Sequence, residues 1–148
     1  MVMKFSEHGH YEIRSDGNII YYRVTGIWNK EASVTCIDKL AQCFDEIVAN
    51  RVDKKMPIVT IVDTCDFEGG LDEAFELWIK AAKFWYASGL SHFIRIDDPE
   101  SLHYQMFLAP IDDLVRKNTE LCFADNFKRA LIHAHSLGFE GFENELNC

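Results

Sequence analysis

The sequence predicts a single α/β domain on a mixed, mostly parallel sheet, with element order β-β-α-β-α-β-α-β-α. Three observations carry that expectation. Short runs rich in β-branched and aromatic residues alternate with longer stretches whose apolar residues recur at helical spacing. The run Ile58–Val62 is almost unbroken in its apolar character, as a strand covered on both faces requires. The chain opens instead on two strands joined by Ser15-Asp16-Gly17-Asn18, a turn sequence that makes an antiparallel hairpin. With 148 residues, 48% of them apolar, one domain can bury a sizeable core.

The elements follow in order. Tyr11 to Arg14 alternates and forms the first strand, and Asn18 to Thr25 forms the second. Gly26 ends the hairpin, and Asn29 is placed to cap a helix from Lys30. Along that helix Val34, Ile37, Leu40, Ala41, Phe44, Ile47 and Val48 keep one apolar stripe up to Asn50-Arg51. Pro57 precedes the strand Ile58–Val62. A loop from Asp63 to Gly70 leads into a helix over Leu71–Ser88, with Phe75, Trp78, Ala81, Ala82 and Trp85 on one face and Gly89 as its stop. Leu90 to Ile96 is the next strand. Asp97-Asp98-Pro99 is expected to open a third helix, broken at Pro110 and running to Lys117. Leu121–Ala124 is a brief strand, and Asp125 is expected to cap a last helix over Asn126–Leu137, ended by Gly138. The segment before residue 10 and the acidic tail FEGFENELNC are expected to be loosely held, around a core of residues 10–138.

Composition narrows the function. A net charge of −9, from 24 acidic and 15 basic residues, repels polyanions, so no nucleic-acid partner is expected. No apolar run approaches the roughly 20 residues a membrane helix needs, so no membrane span is expected. The start, MVMKFSEHGHYEI, lacks the apolar core of a signal peptide, which points to a cytoplasmic protein. Five cysteines, at 36, 43, 65, 122 and 148, show no CxxC spacing and read as reduced thiols. Cys36 and Cys43 belong to the first helix's apolar stripe.

The segments RVTGIW (23–28), IVTIVD (58–63) and FADNFKRALIHA (123–134), together with the element order, resemble a STAS domain of the SpoIIAA-like, anti-sigma-factor-antagonist branch over roughly residues 10–138. The resemblance implies a regulatory module that docks a partner at the start of its second helix, where switching members carry a phosphorylatable serine or threonine. Here the matching stretch, Phe67-Glu68-Gly69-Gly70-Leu71-Asp72-Glu73, holds no hydroxyl. Thr64 comes several residues too early, so the phosphorylation switch is not expected.

Little in the residues argues for catalysis. Asp63, Cys65, Asp66 and Glu68 crowd one loop, but their spacing matches no calcium loop. The acidic neighbours of Cys65 disfavour its thiolate. His133 and His135 point about 200° apart on a helix, so they cannot share an ion, while His8 and His10 lie near the start of the chain and His92 and His103 are isolated. No catalytic residue, metal or cofactor is expected. The residues favour a non-enzymatic module that binds a protein partner, or itself as a homodimer, through Thr64, Cys65, Asp66, Phe67, Glu68, Gly69 and Gly70. The alternative is a carrier of a small apolar, lipid-like ligand, as the related SEC14-type folds imply, in a pocket lined by Trp78, Trp85, Met106 and Phe107. An enzyme using Cys65 or Asp63 is a third possibility.

Overall fold

A computed structural model of the chain describes residues 9–51, 53, 56–70 and 74–147. Strands β1 (His10–Asp16) and β2 (Ile19–Ile27) form the antiparallel hairpin, and α1 (Lys30–Asn50) follows. Then come β3 (Ile58–Asp63), β4 (Phe67–Gly69), α2 (Phe75–Ser88) and β5 (Leu90–Ile96). Helices α3 (Leu102–Phe107) and α4 (Ala109–Val115) lead to β6 (Glu120–Ala124) and α5 (Phe127–Ser136), and a short 3-10 helix spans Glu143–Asn147. The chain is thus a single α/β domain with a mixed, mostly parallel sheet. The expected N-terminal segment lies outside the described residues.

Strand order in the sheet is β1-β2-β3-β5-β6, parallel from β2 onward. It runs in one direction without reversing. Right-handed crossovers along such an order place every crossover helix on the same face. Accordingly Ile20, Tyr22, Val24, Ile58, Val62 and Phe93 pack with α1 to α4. Ile19, Tyr21, Val59, Ile61, Ile94 and Ile96 point the other way, where, among the described residues, α5 and the C-terminal segment cover them.

The packing of the C-terminal segment on that face corrects the expectation of a loose tail. Phe139 and Phe142 are buried in the second core, and Phe142 packs edge-on against Phe127 at 5.7 Å between ring centres. Asn18 holds the segment from both sides: its Oδ1 accepts from the Glu140 amide at 2.7 Å, and its own amide donates to the Glu140 carbonyl oxygen at 3.0 Å. Gly17 permits this approach, since it sits at φ +58° and a Cβ there would lie 2.0 Å from the Glu140 carbonyl oxygen.

Several boundaries move for local reasons. Asn29 caps α1 as expected, accepting from the Ala32 amide at 3.0 Å. Gly89 closes α2 in the left-handed conformation, at φ +116°. The third helix does not open at Pro99. Asp98 Oδ1 instead accepts from the Glu100 amide at 2.9 Å, making a turn, and Ser101 is the cap, accepting from the Tyr104 amide at 3.2 Å. Pro110 sits in the first turn of the separate helix α4, where its missing N–H is harmless. The last helix is capped by Asn126, not Asp125, through a 2.9 Å bond from the Arg129 amide. Phe67–Gly69, expected to lead into a helix, is a strand paired with the end of β2; Leu71–Glu73 lie outside the described residues. Among the described residues no helix is long and apolar enough to cross a membrane.

Candidate functional site

Beneath α2 the core is not filled. Of the inward face expected for this helix, Ala74 and Trp85 are buried, while Phe75, Trp78, Ala81 and Ala82 are half-buried and Leu71 lies outside the described residues. The helix stands off the sheet and leaves a cavity of about 240 Å³. Its floor is the sheet: Tyr22 and Val24 from β2, Thr60 and Val62 from β3, Phe93 and Arg95 from β5. Phe44 of α1 and Trp78, Ile79, Ala82 and Trp85 of α2 form one wall, and Leu108, Ile111, Leu114 and Val115 form the other. All three tryptophans of the chain, Trp28, Trp78 and Trp85, line it. Their orientation is fixed: Trp28 Nε1 donates to the Thr25 carbonyl oxygen at 2.9 Å, Trp78 Nε1 donates to Ser33 Oγ at 3.0 Å, and Trp85 stacks on Phe44 at 5.1 Å.

Several polar groups interrupt the apolar lining, Thr60 and Arg95 among them. Thr60 is buried, and its Oγ1 has no hydrogen-bond partner among the described residues. Such a hydroxyl carries an unmet desolvation penalty of roughly 1–3 kcal/mol unless a guest atom meets it. Arg95 is also buried, and its guanidinium is matched within the wall. Nε donates to Asp112 Oδ2 at 3.1 Å, Nη2 donates to Asp112 Oδ1, and the Tyr104 hydroxyl donates to Asp112 Oδ2 at 2.6 Å. Burial opposes the charge on Arg95, but the adjoining carboxylate outweighs it and holds the guanidinium's pKa above its ordinary value. Burial also pushes the phenol of Tyr22 up, so that it faces the cavity as a neutral hydroxyl.

The apolar-ligand residues expected from sequence are only partly brought together. Trp78 and Trp85 line the cavity. Met106 and Phe107 do not: Met106 is 60% exposed, and Phe107 packs edge-on against Phe67 outside it. The kink at Leu108 turns α3 outward, so the opposite wall comes from the residues after it.

The loop after β3 is a second, polar locus. Of the expected docking residues Thr64, Phe67 and Gly69 are buried, which leaves Cys65, Asp66, Glu68 and Gly70 exposed. The Thr64 hydroxyl donates to Asp97 Oδ2 at 2.6 Å, and the same oxygen lies 2.8 Å from His103 Nε2. His103 is therefore not isolated. Sequence reasoning missed this group, although Asp63 ends β3 opposite Ile96, the last residue of the parallel strand β5, and Asp97 follows directly. Asp66 and Asp63 are drawn toward Arg23 of β2. Among the described residues no cluster of three or more His, Cys, Asp and Glu could hold a metal ion.

Cys65 is exposed as a residue, but its thiol turns inward and donates to the Ile96 carbonyl oxygen at 3.4 Å. Partial burial first, and then the carboxylates of Asp63, Asp97 and Asp66, push the thiol up to about 12. Because thiolate forms only as pH rises toward that value, alkylation of Cys65 by iodoacetamide at pH 8 is expected to run on the order of 100-fold slower than for a free cysteine, allowing for the greater nucleophilicity of a more basic thiolate. Peptide-level mass spectrometry of the native protein measures it; labelling at the free-thiol rate would show the thiol is not held protonated.

No protein-family model, curated protein or solved structure matches the chain, so the assignment of a function rests on this geometry.

Proposed function

We propose that this protein is a non-enzymatic binding module that holds a small apolar ligand between α2 and the sheet. The carrying observation is the cavity of about 240 Å³ walled by aromatic and aliphatic side chains. Pockets of this character, with a few placed polar groups, are the usual seats of small ligands. The STAS-like, regulatory character expected from sequence belongs to the same proposal, supported by the opening hairpin and the alternation of helices with parallel strands.

The test uses the tryptophans as reporters. Titration with decanol is expected to shift intrinsic fluorescence, and native mass spectra are expected to show a 1:1 adduct. An emission spectrum indifferent to every ten-carbon probe, with no adduct, overturns the reading. A second reading, docking of a protein partner or a second copy, is favoured by Phe84, which is 67% exposed beside Leu77 and Val34 in a groove between α1 and α2. The same native spectra address it: a dimer that Phe84→Glu dissolves supports it, and a monomer throughout removes self-association.

A further inference from the structure

We propose that the cavity's ligand is an anionic amphiphile: an apolar body of about ten non-hydrogen atoms bearing one carboxylate-like head, seated tail inward with the head beside Lys83 and Lys117. The inference rests on the cavity being a ligand site. The size follows from its volume, since an apolar cavity of roughly 150 Å³ takes benzene, and about 240 Å³ scales to about ten such atoms.

The orientation follows from where the lining meets solvent. Among the described residues that line the cavity, only Lys83, Lys117 and Asn118 are exposed, which places the mouth between α2 and the end of α4. Both charged residues at that mouth are cations, and among the described residues no Asp or Glu lines the cavity. In a chain with 24 acidic and 15 basic residues, that runs against the surrounding surface. Neither lysine is in an ion pair among the described residues. Each therefore keeps its charge available to an incoming anion.

The inner end makes the opposite case. Arg95 is the cation there, and Asp112 already takes two of its donors. An anionic head placed inward would compete with Asp112 in a dry site and leave one negative charge unmatched, which is costly. A head at the mouth stays partly hydrated while the apolar body gains the full benefit of burial.

The experiment compares decanoate, decanol and decyltrimethylammonium, each below its micelle concentration, at pH 8 and low salt, by tryptophan emission and native mass spectrometry. Two exposed lysines support a preference for decanoate over decanol on the order of tenfold, with the cation weakest. The preference is expected to shrink toward one at about 1 M salt, where the screening length is about 3 Å. In the Lys83→Gln/Lys117→Gln variant the ratio of decanoate to decanol affinity is expected to fall toward one. Both sites are exposed, so the fold is not at stake. Equal affinity for decanoate and decanol in the unaltered protein, or a preference that survives in the double variant, overturns the anionic assignment and leaves the apolar cavity standing. No response to any of the three probes overturns the cavity reading and this inference with it.

Discussion

Replacing Asp112 with alanine is expected to lower folding stability by about 3–5 kcal/mol, the range found when one partner of a buried ion pair is removed. Asp112 is completely buried, and Arg95 opposite it is 3% exposed. The carboxylate accepts two bonds from the guanidinium and one from the Tyr104 hydroxyl, so a single side chain satisfies groups from α3 and β5 at once. Alanine leaves a guanidinium charged in a dry wall and a phenol without its acceptor. The loss is in the orphaned partners more than in the pair itself. For that reason Arg95→Met combined with Asp112→Leu is expected to recover most of the stability, as apolar replacement of buried ion pairs commonly does. Urea unfolding monitored by tryptophan emission measures both. A loss below about 1 kcal/mol for Asp112→Ala would mean that water reaches Arg95 and the site is not dry.

Phe44→Ala is expected to cost a similar amount, about 3–5 kcal/mol, but to act on ligand choice as well. Phe44 is 2% exposed, stacks on Trp85 with an interplanar angle of 7°, and forms part of the cavity wall. Removing its ring joins the vacated space to the existing cavity. A longer guest then has more to fill, so dodecanoate is expected to gain on decanoate and to restore more of the lost stability through binding to the folded state. Paired urea titrations with each acid separate the two effects. An unchanged order of the two acids would place the guest away from Phe44, even if the stability loss appears in full.

The parts of the fold that were legible in sequence are those whose signals are local. β5 has the bounds its apolar run implies, α1 begins behind the Asn29 side chain, and Gly89 stops α2 by turning the backbone left-handed. The parts that were not legible depend on distant partners. β4 is three residues long and extended because Gly26 and Ile27 are there to pair with it, while Pro99 loses the helix start to a turn closed by Asp98. For the site, aromatic spacing on α2 found Trp78 and Trp85. The opposite wall depended on how the chain turns at Leu108, which moved Met106 and Phe107 outward. Arg95 and Asp112 are 17 residues apart, and nothing in LSHFIRI says that its arginine points into the core. One available sign was overlooked: a charged residue inside an otherwise buried strand demands a counter-charge from another element.

The clasp between the opening hairpin and the C-terminal segment has a kinetic side. Asn18 meets Glu140 across 122 positions of chain, Asp16 meets Phe142 across 126, and Arg14 meets Glu145 across 131. The hairpin pairs through neighbours and forms early, but the apolar face carrying Ile19 and Tyr21 stays uncovered until residues more than a hundred positions away arrive. Closing a loop of that span loses chain entropy before any contact repays it, which slows the search. During that interval the half-built sheet presents its second face to whatever other chains are nearby, so crowded synthesis is the circumstance in which this molecule is most exposed to misassembly.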